Sequence, residues 1–217
     1  MHMTISRFLV MTDVRSDTIF FRLPHTWWSR PYEYEWAKHF AHPDDVVLDA
    51  ACGISHPFKF YLADRCKEVH ACDVDNRIVS PEAILNDIER DFGKEEANRV
   101  TNGYFAKIQF IRANLTSLPY MNKKFDKIFC ISVLEHLDGT SMLASFSEFN
   151  RVLKDDGILV VTFDYPIIHF EMLQKVVASA GLAFYSDVSF EKREDAIFTD
   201  LYQPRLHCFR AVFRKKF

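Results

Sequence analysis

Two periods of hydrophobic and polar positions run along this chain, and the switches between them mark its elements. Val46-Val47-Leu48 is a short β-branched apolar run, as carried by a strand buried on both faces, and Asp49 ends it. The small residues Ala50-Ala51-Cys52-Gly53 follow. Ser55 or His56 is then placed to cap a helix, with Pro57 in its first turn and Phe58, Tyr61 and Leu62 on its apolar face. Strand, small-residue turn and helix form the opening of a nucleotide-binding α/β unit. A ligand approaches backbone closely only where no bulky side chain intervenes, and helix amides then face it.

The same alternation continues downstream. Glu68–Asp73 reads as a second strand, and Ser80-Pro81-Glu82 opens a helix with Ile84, Leu85, Ile88 and Phe92 on one face and Gly93 as its stop. Residues 94–104 read as a polar connection. Lys107–Arg112 and Phe125–Ile131 are the third and fourth strands. A helix opening near Thr140 or Ser141 carries Met142, Phe146, Phe149 and Leu153, and Asp155-Asp156-Gly157 turns into a fifth strand, Ile158–Phe163. Phe170, Leu173, Val177 and Ala180 share a helix face that ends at Gly181. Leu182, Phe184, Val188 and Phe190, then His207, Phe209, Ala211 and Phe213, alternate as half-buried strands around an irregular charged stretch, Glu191–Pro204. Strands alternating with helices imply a parallel sheet covered on both faces, closed here by a terminal antiparallel hairpin. Before all this, residues 1–30 show no clean period, and Pro31–Phe40 predicts a helix with Trp36 and Phe40 on one face. We expect this N-terminal arm and helix, residues 1–43, to cover the sheet as a lid on a single domain spanning 1–217, with a core at 44–165 and a C-terminal helix and hairpin at 166–217.

Composition narrows the picture only a little. A chain of 217 residues suits one substantial α/β domain. The net charge of −3 disfavours a nucleic-acid partner. Charged residues interrupt every N-terminal apolar run, and no segment approaches a membrane span. Five cysteines without CxxC spacing argue against a disulfide framework or a zinc site and suit a reducing, cytoplasmic compartment. The histidines show no metal-ligand spacing, so no metal is expected.

Three polar residues fall where a nucleoside ligand needs them, at or just past the ends of successive strands: Asp49, Asp73 and Asn114. A carboxylate at Asp73 can accept from both ribose hydroxyls, and the Asn114 carbonyl can accept from an adenine amino group. With these residues in register, the chain resembles the class I S-adenosylmethionine-dependent methyltransferases. The resemblance rests on Leu48-Asp49-Ala50-Ala51-Cys52-Gly53, Ala71-Cys72-Asp73-Val74-Asp75, the Asn114–Tyr120 stretch, Lys124–Leu137 with its Leu134-Glu135-His136-Leu137, and Phe149–Leu159. It covers roughly residues 44–165 as an ordered set. It implies a three-layer Rossmann-like α/β sandwich whose mostly parallel sheet has seven strands, with an antiparallel strand at the C-terminus.

The resemblance also implies roles. S-adenosylmethionine is the expected cofactor and S-adenosylhomocysteine the product. Asp49, Ala51 and Gly53 would surround the methionine end, Ser55 would also contact the cofactor, Asp73 would hold the ribose with Val74 packed on the adenine, Asn114 and the Leu115 backbone would read the adenine edge, and Ser132 and Val133 would line the pocket beside the sulfonium. Ser55 stands where the family often has a second glycine, and Asn114 where it often has an acid. Because the cofactor brings its own activation, the protein mainly aligns reactants and excludes water. A base is needed only for a hydroxyl or protonated amine; His136, with Glu135 beside it, is the candidate. Trp27, Trp28, Arg30, Tyr32 and Tyr34 are the expected acceptor-facing residues, offering aromatic faces and a carboxylate partner. The expected acceptor is a small molecule. A protein or nucleic-acid methyltransferase and a non-catalytic cofactor-binding module are the alternatives, and the absence of G-x-G-x-x-G counts against a dinucleotide dehydrogenase.

Overall fold

A computed structural model describes residues 3–100 and 102–216. Its centre is a sheet in which β4 (Ile108–Arg112), β3 (Glu68–Asp73), β2 (Val46–Ala50), β5 (Phe125–Ile131), β6 (Leu153–Tyr165) and β9 (Leu206–Lys215) lie side by side in that order. The first five run parallel, and β9 runs antiparallel to β6 over residues 158–165. The outer edge of β9 is shared by three short strands, β8 (Phe198–Thr199), β1 (Arg7–Phe8) and β7 (Leu182–Phe184). Among the described residues the sheet therefore has nine strands rather than seven, and the two extra ones, β1 and β8, are two residues long.

Alternate residues of the buried strands serve opposite faces, as the pleat dictates. Leu48, Ala50, Ile128 and Cys130 pack towards α6 (Gly139–Val152) and α7 (Phe170–Ser179), with Phe146, Phe149 and Leu173. Val47, Val69, Phe129 and Val160 pack towards α1 (Arg30–Ala37), α2 (Phe58–Arg65) and α3 (Pro81–Phe92), with Trp36, Phe58, Leu62, Ile84 and Ile88. Helix, sheet and helix make three layers. The α3 signals hold: the Ser80 side chain accepts from Ala83 N–H, Pro81 sits in the first turn and Gly93 ends the helix. Asp138 caps α6, two residues before Thr140, the nearer of the two residues expected to open it.

Several expectations need correction. Neither Ser55 nor His56 caps α2; Pro57 occupies that position without a side-chain cap. The polar connection at 94–104 contains α4 (Lys94–Arg99) and enters α5 (Asn102–Lys107), where Ala97 and Phe105 find the core that polarity masked. Leu153 leaves the helix and opens β6 opposite Phe125. Val188 and Phe190 lie outside the named strands. The N-terminal segment, expected as a cover, also contributes to the sheet and the core. Phe8 pairs with Phe209 in the sheet, and Phe8, Leu9, Phe21 and Leu23 are buried. Arg7, which interrupts the local apolar run, is tied to Asp13 by two hydrogen bonds of 2.8 and 2.6 Å, so a charged residue closes this turn while its neighbours enter the core.

Strand order fixes where a ligand can sit. From β2 the chain moves to β3 and β4 on one side, and β5, β6 and β9 lie on the other. The crevice outside the carboxyl ends of β2 and β5 is thus the switch point at which open α/β sheets bind ligands.

Candidate active site

Ala51-Cys52-Gly53 leaves β2 at this crevice and Ser132-Val133 leaves β5 beside it. Ala51 (φ +54°), Gly53 (φ +62°) and Ser132 (φ +49°) all adopt the left-handed conformation. For alanine and serine that conformation is strained, and strain of this kind gathers at functional sites. Each bend is held from several sides. Cys52 N–H donates to Cys72 C=O (3.0 Å) and Gly53 N–H to Asp73 Oδ2 (2.9 Å). Beneath the loop, fully buried Lys59 donates to the carbonyls of Gly53 (2.7 Å) and His56 (2.6 Å). Ser132 N–H donates to Thr162 C=O (3.1 Å), and Ser132 Oγ donates to Glu33 Oε1 (2.6 Å).

Glu33, from α1, is the buried hub of the N-terminal side. It accepts from Ser29, Ser132 and Thr162 hydroxyls and pairs with Arg30. Burial alone pushes its carboxyl up, but Arg30 and the two hydroxyls from the sheet outweigh that and hold it below the ordinary range. The network ties α1 to the ends of β5 and β6.

Two cavities meet here. The smaller, about 180 Å³, is lined by Asp49, Ala51, Gly53, Ser132 and Val133 together with Tyr34 and Ile131. The larger, about 470 Å³, is lined by Trp27, Trp28, His136, Asp164, Tyr202 and Gln203 among others. Arg30 and His56 line both. The His56 ring stacks on Trp27 (centroids 4.2 Å apart), shares a hydrogen bond with the Tyr34 hydroxyl (2.7 Å) and lies over Gly53, where a Cβ would come within 2.6 Å of it. Burial first, then the charges of Arg30 and Lys59, push His56 well below its ordinary value, so the partition between the cavities is a neutral imidazole.

Acidic groups around the cavities are shifted the other way. Asp49 is 4 % exposed, its Oδ2 has no hydrogen-bond partner among the described residues, and burial pushes it up to about 7 against the opposing charge of Lys59. Burial lifts Glu135 to about 8 and Asp164 to about 6. A ligand bearing a positive charge fits beside Asp49, because it would supply the partner that the orphaned oxygen lacks. The amino-acid end of S-adenosylmethionine has such a charge, and the small cavity suits that end of the molecule.

The structure brings together Asp49, Ala51, Gly53, Ser132 and Val133 in the small cavity, and places Trp27, Trp28, Arg30 and His136 on the large one. Tyr34 lines the small cavity instead. Asp73 stands at the end of β3 with its carboxylate accepting from Gly53 and Asp75 N–H groups, Val74 is 63 % exposed beside it, and Asn114 is exposed with Oδ1 accepting from Thr116 N–H (3.0 Å). Leu115 is buried in the core. Glu135 sits behind His136 and accepts from Asp164 N–H (2.8 Å). Two expected residues face elsewhere. Ser55 turns its hydroxyl to Asp91 (2.6 Å), and Tyr32 is buried with Leu9, Ile197 and Cys208.

Sequence reasoning missed His56, Glu33, Lys59 and Asp164. Asp164 was findable, since it follows the apolar run of the fifth strand as Asp49 follows the first. The others carry no local signal, because their burial is decided by elements distant in the chain.

Residues 48–161 match the methyltransferase domain family. A sterol 24-C-methyltransferase of Pneumocystis carinii is 25% identical over 114 residues, 52% of this chain and 26% of that protein. The chain spans less than half the length of the curated relatives it matches. Among solved structures, the [4+2]-cyclase SpnF superposes with a TM-score of 0.62 at 17% identity, covering 97% of this chain and 86% of the other. The 1,6-didemethyltoxoflavin-N1-methyltransferase of Burkholderia thailandensis, solved with S-adenosylhomocysteine, gives 0.60 at 14% identity, covering 89% and 82%. A shared fold that also serves a cyclase leaves the reaction to the site. The strand order, the strand-end motifs and a match over more than half its length place this chain in the class I S-adenosylmethionine-dependent methyltransferase family.

Proposed function

We propose that the chain transfers a methyl group from S-adenosylmethionine to an oxygen, nitrogen or carbon of a small-molecule acceptor. The observation that carries this reading is the junction of two cavities at Arg30 and His56, one among the strand-end residues of the family motifs and one walled by aromatic and titratable side chains. Asp49 would meet the ammonium group at the zwitterionic amino-acid end of the cofactor, Asp73 the ribose, and Val74, Asn114 and the Leu115 backbone the adenine. When bound, the cofactor supplies an activated methyl on a sulfonium with a neutral thioether as leaving group.

The chain's own residues orient and shield. Ser132, fixed by Glu33 and Thr162, and Val133 form part of the smaller cavity's wall. Trp27 and Trp28 offer apolar faces that exclude water and align a planar or cationic acceptor. His136 and Asp164, on the wall of the larger cavity, are the groups placed to take a proton from a hydroxyl or ammonium. Residues 26–30 thus act as a fixed acceptor wall, built on a segment that belongs to the core. We propose that residues 1–217 work as one methyltransferase unit.

Calorimetric titration with S-adenosylhomocysteine tests the cofactor half. One site is expected, and Asp73→Ala should weaken it by about 1.5–3 kcal/mol through loss of charged hydrogen bonds. Unchanged affinity in that variant removes Asp73 from the site. Transfer of labelled methyl into small-molecule rather than protein or nucleic-acid fractions tests the acceptor class.

A further inference from the structure

Because β5 and β6 are parallel neighbours, their carboxyl ends deliver side chains to one place. The short 3-10 turn Leu134–His136 after β5 supplies Glu135 and His136, and Asp164 lies near the end of β6. One donor atom from each of the three falls within 4.8 Å of the others. Glu135 is 6 % exposed; its Oε1 accepts from Asp164 N–H (2.8 Å), and its Oε2 is buried without a hydrogen-bond partner among the described residues. Asp164 Oδ1 is orphaned in the same way. Two buried carboxyl oxygens lacking partners carry a desolvation penalty unless a proton or a cation meets them. The nearby cation, Arg30, is paired with Glu33. His136 is exposed and, with Asp164, faces the larger cavity.

We propose that Glu135, His136 and Asp164 bind one divalent transition-metal ion whose remaining coordination positions open into the acceptor cavity. One imidazole with two carboxylates is a mixed donor set that suits manganese or zinc better than magnesium or calcium. Ligands at about 2.1 Å from one ion lie at most about 4.2 Å apart, so binding would draw the three donors together by a few tenths of an ångström, with exposed His136 the side chain freest to move. Three protein ligands leave positions free, as in sites that act on a substrate rather than hold a fold. Resting on the methyl-transfer reading, and with the ion taking over the deprotonating role from His136 and Asp164, it would bind an acceptor hydroxyl and polarise it, so that its O–H proton leaves to solvent and its oxygen becomes the nucleophile. An ammonium group of the acceptor is the competing occupant, and the measurements below separate the two.

The test uses the full chain after dialysis against a chelator, titrated with Mn²⁺ and followed by electron paramagnetic resonance, with Zn²⁺ in parallel by calorimetry. One site is expected, weakened at least tenfold in Asp164→Asn and in Glu135→Gln. His136→Gln, at an exposed position, serves as the variant that retains the fold and should also weaken binding. Titration with S-adenosylhomocysteine reports separately on the cofactor site and should be unaltered in all three. Absence of stoichiometric Mn²⁺ or Zn²⁺ binding, or binding indifferent to the three substitutions, overturns the proposal while leaving the cofactor reading intact. Protection by methylammonium in thermal unfolding that depends on Asp164, with no metal bound, overturns it in favour of an ammonium subsite.

Discussion

Asp49 offers the sharpest test of how the small cavity recognises its ligand. Its carboxyl ends an apolar strand, is almost wholly buried, and has one oxygen without a partner, so the free chain holds it protonated to about pH 7. If the bound state requires the carboxylate, binding of S-adenosylhomocysteine, whose amino group is positive, must release a proton. The sign follows directly. Below about 7 the free chain must first ionise Asp49, so affinity rises with pH and levels off above that value. At about pH 6 roughly a tenth of the chain carries the charge and at about pH 8 roughly nine-tenths, so the apparent affinity should rise about tenfold between them.

Asp49→Asn removes the charge and keeps the shape. Loss of a charge-assisted hydrogen bond of about 1.5–3 kcal/mol should weaken binding by roughly 10- to 150-fold at about pH 8, less at about pH 6, and flatten the profile. Calorimetry in two buffers of different ionisation enthalpy would report the proton release directly. A variant with wild-type affinity at high pH, or one that retains the parental pH dependence, refutes the assignment of Asp49 as partner to the ligand's ammonium group. The raised value also has a folding consequence. Between about pH 4 and 7 the folded chain holds a proton that the unfolded chain has lost, so Asp49 makes stability fall as pH rises through that window and become flat above it. Asp49→Asn should remove this decline in denaturant titrations.

Two further outcomes concern the N-terminal side. Glu33→Ala leaves Arg30 without its buried partner and frees three hydroxyls, so urea titration should show a loss of about 3–5 kcal/mol at unchanged m-value, with Glu33→Gln recovering part of it. Deleting residues 1–30 removes β1 and buried Phe8, Leu9, Phe21 and Leu23; at about 2–5 kcal/mol for each large buried side chain, the sum is about as large as a typical domain's whole stability. That chain should lose its cooperative transition in circular dichroism, and a folded, cooperative truncation would show that the segment is dispensable cover.

What the sequence made legible follows from range. The parallel strands and the stops at Gly93 and Gly181 depend on local period and local backbone conformation, and they stand where pattern placed them. Asp49, Ala51, Gly53 and Ser132 were legible because successive parallel strands deliver their ends to one edge, so order along the chain becomes proximity in space. The two extra strands were not legible, since β1 and β8 are two residues long and are defined by an edge of β9 about two hundred and about ten residues away in the chain. Ser55 and His56 show the limit most clearly. Both looked like caps from their neighbours, yet Ser55 answers to Asp91 and His56 to Trp27 and Tyr34. Side chains with one polar group take whichever partner tertiary packing brings nearest, and a local motif competes poorly once burial makes an unmet hydrogen bond expensive. The consequence for the site is specific: the imidazole that separates the cavities is held entirely by the N-terminal segment, so Trp27→Ala should loosen His56 and join the two spaces. Hydrogen–deuterium exchange of the 52–58 loop should quicken in that variant without global destabilisation, and an unchanged loop would show that Tyr34 alone fixes the partition.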